Sequence, residues 1–277
     1  MRIYNNVNSV GIQNTLNTTG TNMTKSLEKL SSGLRINRAA DDAAGLSVSE
    51  GLRSQIRGSN MAQRNANDGL ALLQIAESGT QQITDSLQRM RELAVQSSNG
   101  TYTNTDRGYI QQEYAALASE INRIAGATTY NGIQLLSTSS SFSFQISAAS
   151  TGGSSTISFS ATSAGFSSSV NLSTGLTFGG VSLQSAASTA ISSIDNILAS
   201  VLSLRSTIGS TMNRLTTTVS NLGDMVTNLT DAESRIRDTD FASETMQFTR
   251  NQILTQSAQS MLSQANQLPS AVLSLLR

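Results

Sequence analysis

An apolar residue recurs every three or four positions from Ile191 to Ile236, and this repeat constrains the fold more than any other feature of the chain. A sustained spacing near 3.5 residues predicts one long helix packed along a seam. Asn, Ser, Thr and Asp fill the other faces and are mediocre helix formers, so we expect packing rather than propensity to hold the helix. The repeat, broken only at Arg205 and Glu233, is Ile191, Ile194, Leu198, Val201, Arg205, Ile208, Met212, Leu215, Val219, Leu222, Val226, Leu229, Glu233 and Ile236.

The first half of the chain supplies two helices that could pack against this seam. The cluster SSNGTYTNTD, at 97–106, is rich in turn formers and separates them, and the stretch 126–132 ends the second helix. The two apolar stripes are Leu73, Ala76, Thr80, Ile83, Leu87, Met90 and Ala94, then Ile110, Tyr114, Leu117, Ile121 and Ile124. The expected fold class is therefore mainly α, a long coiled-coil or bundle rod built from both terminal halves.

The outermost segments carry apolar stripes of the same kind. Each is poor in aromatic residues and rich in Asn, Gln, Ser and Thr, so we expect the pair to be disordered in the free monomer. Pro269 predicts a kink or a break in the second segment, since proline costs a helix interior roughly 3 kcal/mol. The stripes are Met23, Leu27, Leu30 and Leu34, then Leu254, Ala258, Met261, Ala265, Leu268, Val272 and Leu275, with Leu276 beside the last position.

The middle of the chain differs from both flanks. No charged residue stands between Arg123 and Asp195, and Ser, Thr and Gly dominate 137–180. Two short runs alternate apolar and polar residues, 142–146 and 157–161, with Gly152-Gly153 between them. They predict a small β-hairpin element at the tip of the helical rod, and the alternative is a disordered Ser-rich linker.

The composition excludes several functional classes. The chain lacks His and Cys, so Ser-His-Asp triads, histidine zinc sites, disulfides and thiol chemistry are impossible. Its formal net charge is zero, which argues against nucleic acid as a partner and favours self-association. No run of 18 apolar residues and no cleavable signal is visible, so we expect neither a membrane partner nor a removed leader. We predict a protein that is not an enzyme and has no cofactor or metal.

Three charged stretches invite functional interpretations. Asp41 and Asp42 are adjacent, but no third oxygen ligand stands at a calcium-loop spacing, so charge pairing with Arg35 and Arg38, or with a neighbouring molecule, is the better interpretation. The segments LQRMRELAVQSSNGT, at 87–101, and AESRIRDTDF, at 232–241, are either solvated helix faces or contacts to another subunit. The sequence alone leaves that choice open.

The motifs SLEKLSSGLRINRAADDAAGL, QRMRELAVQSSNGT, NRIAGATTYNGIQLL, ESRIRDTDFA and MLSQANQLPSAVLSLLR together resemble bacterial flagellin. The resemblance covers about 1–136 and 190–277, in the family's order. The uncharged middle matches no particular member, and it is short, so the chain resembles a short form with a minimal central region.

The resemblance implies a layered structural subunit. Residues 1–40 and 240–277 would form paired terminal helices in the inner core of a filament, 41–136 and 183–239 the helical rod, and 137–182 a small, β-rich outer tip. The terminal residues expected to drive polymerisation are Met23, Leu27, Leu30, Leu34, Leu254, Met261, Leu268, Val272, Leu275 and Leu276.

The resemblance also implies partners and a location. The expected function is polymerisation into the flagellar filament used for swimming, after secretion through the flagellar type III export apparatus. Expected partners are further copies of the chain, filament cap and hook-junction proteins, and an export chaperone on the C-terminal segment. The alternatives are a hook–filament junction protein, or an adhesin or binding module displayed on the filament.

One recognition surface follows from the resemblance residue by residue. In many flagellins the helix carrying QRxRELAVQ, with a Glu on the next helix, is bound by vertebrate Toll-like receptor 5. The matching residues, which we also expect to contact neighbouring subunits, are Gln88, Arg89, Leu93, Gln96 and Glu113.

Overall fold

The computed structural model describes the backbone of residues 6–136, 141–147, 155–160 and 180–275, and side chains within those ranges up to residue 267. Within these ranges the chain is mainly α-helical, as predicted. The elements, in order, are α1 (Val7–Ser32), α2 (Ala43–Ser98), α3 (Asn104–Ala127), β1 (Thr129–Tyr130), β2 (Ile133–Gln134), β3 (Ser141–Gln145), β4 (Thr156–Ser160), α4 (Gln184–Arg237) and α5 (Phe241–Leu275).

The chain forms two compact units. A terminal unit comprises Met1–Ile56 and Thr227–Arg277, and a central unit comprises Arg57–Val226. Helices α2 and α4 contribute residues to both. The predicted division into inner, rod and outer parts concerns an assembled filament and stays a prediction.

The core of the central unit joins α2, α3 and α4. The predicted stripe of α2 from Leu73 to Ala94 is buried throughout, and Tyr114 and Ile121 of α3 are buried with it. On α4 the predicted repeat is only half right: Ile197, Leu204 and Thr211 are buried where the repeat contained Leu198, Arg205 and Met212. Because α4 packs against two helices, the stripe that it buries is wider than the seam of a two-helix coiled coil. Leu198 and Met212 lie partly buried at the margin of that stripe.

The turn between α2 and α3 falls where the sequence predicts it. α3 begins with a capping box, in which the Thr103 hydroxyl accepts from the Asp106 backbone N–H and the Asp106 carboxylate accepts from that of Thr103. α3 is followed by the short hairpin β1–β2, whose turn residues Asn131 (φ 49°) and Gly132 (φ 78°) have left-handed backbones. Asn-Gly is the preferred pair for such a turn.

The predicted hairpin of the middle segment is present as β3–β4. The strands are antiparallel, with Phe142 opposite Phe159 and their rings stacked at a centroid distance of 6.4 Å. Ile157 and Phe159 are buried in the core of the central unit. The hairpin packs against α2, where a Cβ on Gly69 would lie 2.9 Å from the Phe144 ring. It therefore lies alongside the helices, whose surface covers its apolar face, and its predicted position at the tip of the rod stays a prediction. Gly152-Gly153 and Ala161 lie outside the described residues.

The terminal unit pairs α1 with α5. The helices run antiparallel: the Asn6 side chain donates to the Ala265 carbonyl near one end, and Lys29 lies 3.8 Å from Glu244 near the other. α5 is continuous through Pro269 to Leu275, so the predicted break is absent. The predicted kink stays a prediction.

Candidate self-association surface

Large apolar residues of the terminal unit lie on its surface. Met246 is 66% exposed, Met261 59% and Leu27 56%. A packed helix pair normally buries such residues, and exposed clusters of them mark surfaces that bind another molecule. The exposed set on α1 and α5 is Val7, Val10, Leu27, Phe241, Met246, Ile253, Leu254 and Met261.

The contact between α1 and α5 buries small and polar residues instead. Thr19 and Ser26 of α1 and Asn251 and Ala265 of α5 are the buried residues of the two helices within the described side chains. Large apolar side chains of the pair therefore remain in contact with water, and burial by a neighbouring molecule would stabilise them.

The residues predicted to drive polymerisation divide between the contact and the surface. Met23, Leu30 and Leu34 are half-buried, whereas Leu27, Leu254 and Met261 are exposed. The residues of each predicted stripe therefore lie on two faces of the helix, one half-buried and one exposed. The side chains of Leu268, Val272 and Leu275, and the whole of Leu276, lie outside the described residues.

Hydrogen bonds join the segment that follows α1 to the segment that precedes α5. Gly33 ends α1 in the left-handed conformation (φ 74°), and its carbonyl accepts from the Thr239 backbone N–H just before α5. Arg35 donates from its backbone to the Arg237 carbonyl and from its guanidinium to the Ile236 carbonyl. These bonds join the segment after α1 to the segment before α5. We call residues 33–35 and 236–239 the clasp.

The adjacent acids next to the clasp do not pair with Arg35 or Arg38 as predicted. The Asp41 carboxylate accepts from the backbone N–H groups of Arg38 and Asn37, which hold its pKa below the usual value. Asp42 accepts from the Gly45 N–H at the start of α2. The Arg38 guanidinium lies 2.9 Å from Glu28 instead. Asp side chains commonly accept hydrogen bonds from backbone N–H groups at turns and helix starts. Asp41 and Asp42 do so here instead of forming ion pairs with Arg35 and Arg38.

The surface of α2 and α3 carries most of the second predicted site. Gln88, Arg89, Gln96 and Glu113 are exposed. Arg89 bridges Glu92 on its own helix and Glu113 on α3, at 2.9 Å each, and the hydrogen bonds to Glu92 and then Glu113 raise its pKa. The Gln96 side chain donates to the Tyr102 hydroxyl. Leu93 does not belong to this surface: it is 2% exposed and lies in the core of the central unit.

A buried arginine at the α2–α3 turn was not singled out from the sequence. Arg107 donates to the backbone carbonyls of Ser97 and Asn99 and to the Asn104 side chain. The Ser97 hydroxyl in turn donates to the Val181 carbonyl, and the Gln111 side chain accepts from the Val181 N–H. This cluster attaches the start of α4 to the turn. Its only sequence signal was a charged residue near the end of a turn-forming stretch.

Two features of the described residues bear on other functions. No group of three or more His, Cys, Asp or Glu within them is placed to hold a metal ion. One helix, α4, is long and apolar enough by length and composition to cross a membrane, with 33% of its most apolar window buried, although the sequence has no uninterrupted run of 18 apolar residues. The criterion is weak, because core helices of non-membrane proteins also meet it, and α4 supplies core residues to the central unit.

A mainly helical chain whose paired terminal helices expose their apolar residues belongs to the class of self-associating structural proteins. The model described as "Bacterial flagellin N-terminal helical region" matches residues 3–141, and that described as "Bacterial flagellin C-terminal helical region" matches residues 191–276. The chain belongs to the bacterial flagellin family.

Relatives agree with this assignment over the full length. The chain is 42% identical to the "Flagellar filament 33 kDa core protein" of Treponema phagedenis over 295 residues, which span 100% of both chains. It is 44% identical to "Flagellin" of Halalkalibacterium halodurans over 254 residues, 91% of each. Among solved structures, that of Bacillus cereus flagellin aligns at 29% identity with a TM-score of 0.47, covering 57% of this chain and 88% of the other.

Proposed function

We propose that the chain is a structural subunit that polymerises into the bacterial flagellar filament used for swimming. The observation that carries the proposal is the exposed apolar face of α1 and α5, which lies within the two regions that match the flagellin family. A relative matched over its full length is named as a filament core protein, and one matched over 91% of its length as a flagellin. The partner of the exposed face is a second copy of the same chain.

The energetics favour many copies rather than one chain. Fully burying one Leu, Ile or Met side chain contributes roughly 1.5–3 kcal/mol, whereas ordering one backbone residue costs about 1–2 kcal/mol. Among the described side chains, the contact within one chain fully buries only Thr19, Ser26, Asn251 and Ala265, and its larger apolar residues are only half-buried. Packing of the exposed apolar set against neighbouring copies supplies the missing burial.

Electron microscopy of the purified full chain at rising concentration tests the proposal. We expect long fibres above a threshold concentration. An Ile253→Asp variant should raise the threshold at least about tenfold, because a carboxylate would be desolvated at the contact. Gln252→Asp, on the adjacent exposed position, is the matched control. The proposal fails if the unchanged chain stays monomeric at every concentration, or if both variants assemble equally.

The finer partners belong to the same proposal. In it, residues 1–40 and 240–277 line the inner core, 41–136 and 183–239 form the rod, and 137–182 lies outermost. The filament is extracellular, reached by export through the flagellar apparatus, with filament cap and hook-junction proteins at its ends. An export chaperone would cover the α5 segment, whose exposed Met246 and Ile253 would otherwise meet water. No specific observation favours a hook-junction protein, an adhesin or an enzyme.

A Toll-like receptor 5 surface is a further part of the proposal. Its support is the matching sequence and the exposure of Gln88, Arg89, Gln96 and Glu113 on neighbouring helices. Monomer carrying Arg89→Ala should activate receptor-bearing cells less than the unchanged chain does. Arg123→Ala is the control, since Arg123 forms an exposed ion pair with Glu120 on α3 outside this surface. Equal activation by both variants would remove this surface from the proposal.

A further inference from the structure

The seam between α1 and α5 follows the heptad spacing of a coiled coil but carries polar residues at its middle. Every position of the repeat is buried or half-buried, and its spacing alternates between three and four residues. The seam residues are Ser9, Ile12, Leu16, Thr19, Met23, Ser26 and Leu30 on α1, and Glu244, Phe248, Asn251, Thr255, Ala258, Leu262 and Ala265 on α5.

Contacts at both ends of the pair define its register. The Ser9 hydroxyl donates to the Asn266 side chain at 2.9 Å, next to the Asn6–Ala265 bond, and Lys29 meets Glu244 at the other end. In this register Asn251 lies level with Met23, and Thr255 lies level with Thr19. The polar residues of the two helices therefore share one stretch of the seam, with larger apolar residues on either side of it.

Asn251 is the least satisfied residue of that stretch. It is 7% exposed, and its Nδ2 has no hydrogen-bond partner among the described residues. Thr19 and Thr255 differ from it, because their hydroxyls donate to the carbonyls of Thr15 and Asn251 on their own helices. An unsatisfied buried amide lowers stability and needs another explanation.

We propose that Asn251 selects the register in which α1 pairs with α5. A slide by one heptad would keep the seam spacing but bring Asn251 level with Leu16 or Leu30, and would separate Thr255 from Thr19. In the native register the small polar residues Thr19 and Ser26 flank the level of the amide. A slide to Leu16 or Leu30 would take the amide away from one of them and leave it among more apolar side chains, which disfavours both slid registers. A single buried Asn in a coiled-coil seam is well suited to this role, since it gains specificity at a cost in stability.

The selected register determines the composition of the exposed face. It places Leu27 of α1 at nearly the same height along the helix pair as Met246 of α5, and Val10 at nearly the same height as Met261. The slide that brings Asn251 level with Leu16 would move these apolar residues against polar ones, with Leu27 level with Asp240. Because the register belongs to a single chain, it is measurable whether or not the chain forms filaments.

Disulfide trapping in the full chain tests the proposal cleanly, because the chain has no native cysteine. Ser9→Cys with Asn266→Cys reports the native register, and Ser9→Cys with Gln259→Cys reports a slide of one heptad on the same helix face. In the otherwise unchanged chain the native pair should form the disulfide and the slid pair should not. Adding Asn251→Leu should raise the yield of the slid disulfide about tenfold.

Two further variants keep the test decisive. Gln252→Leu adds the same side chain at an exposed position of α5 and should leave the slid disulfide at its original yield. Asn251→Ala removes the amide without adding apolar volume and should raise it, which covers the case in which Asn251→Leu aggregates. No rise with either change at Asn251, or an equal rise with Gln252→Leu, would overturn the proposal.

Discussion

At the residue scale, single polar groups decide how the helices end and meet. Arg107, Asp41 and Asp42 all contact backbone groups at turns or helix starts, whereas the sequence predicted charge pairing for the two acids. Backbone donors and acceptors are not visible in a sequence pattern, so this use of charge could not be predicted. The burial of Leu93 could have been: it lies three residues after Met90 on the stripe of α2 that faces the core.

Replacing Arg107 should destabilise the central unit. Arg107→Ala would leave the buried carbonyl of Ser97 and the part-buried carbonyl of Asn99 without their donor, at a cost of roughly 1–3 kcal/mol. Urea denaturation followed by circular dichroism measures the change. Arg123→Ala, which removes an exposed pair with Glu120, should change the free energy of unfolding by less than about 1 kcal/mol.

Gly69 should resist substitution although it lies inside a helix. A Cβ there would meet the Phe144 ring at 2.9 Å, so Gly69→Ala should destabilise the central unit by about 1–3 kcal/mol through overpacking. Gly209→Ala is the matched control, since a Cβ at that position in α4 meets nothing within 4 Å. It should stabilise the chain by about 0.5–1 kcal/mol. Similar melting temperatures for the two variants would contradict the close fit of Phe144.

At the element scale, hydrophobic period predicted the helices well and their partners less well. The stripes of α2 and α3 are buried where the repeat placed them, but α4 buries Ile197 and Leu204 in place of two predicted positions. A repeat gives the direction of one face, whereas the number of neighbours decides its width. For the same reason the sequence predicts one apolar face on each of α1 and α5, where the structure has two. The sequence analysis does not predict β1–β2, although Asn131-Gly132 is a strong turn signal.

The start of α3 should weaken in acid. The Thr103 hydroxyl and then the Thr103 backbone N–H donate to Asp106 and lower its pKa from 3.8. The carboxylate therefore contributes stability that is present above its unfolded pKa and lost as the pH falls through the lower folded value. The protection of the amides in the first turn of α3 against hydrogen exchange, relative to their intrinsic rates at each pH, should fall below about pH 4. In Asp106→Asn this acid dependence should be absent, and its persistence there would assign it to another group.

At the scale of the whole molecule, family membership and mainly helical architecture could be predicted from sequence. The exposed apolar face of the terminal unit could not be located to individual residues, because an amphipathic stripe does not reveal which side meets the partner helix. Leu27 and Met261 were grouped with Met23, yet the first two are exposed and the last is half-buried. Disorder of the terminal segments in free monomer stays a prediction.

Assembly should protect particular methionines from oxidation. In free chain, hydrogen peroxide should convert the exposed Met246 and Met261 to sulfoxides first, while the fully buried Met90 reacts slowly. In fibres, Met246 and Met261 should become at least about tenfold slower, because neighbouring copies cover them. Peptide mass spectrometry measures each rate. Unchanged rates at both residues in fibres would show that this face is not the contact.

Removing the terminal helices should abolish fibre growth. A chain without residues 1–40 and 240–277 lacks most of the exposed apolar set and the seam, so it should remain monomeric at concentrations at which the full chain assembles. Analytical ultracentrifugation compares the two. Retention of the central unit's helicity by circular dichroism is the control for folding.

The stretch between Leu136 and Val181, which lies within the uncharged middle of the chain, is anchored to the helices at both ends. Leu135 and Leu136 are buried on one side, and on the other Val181 is tied to Ser97 and Gln111, and Gln184 to Ser98. Because the entropy of closing a loop rises only slowly with its length, a foreign peptide spliced between these two anchors, but outside β3 and β4, would cost the bundle little. The chain thus offers a fixed insertion point at which an epitope or an enzyme could be displayed once per subunit.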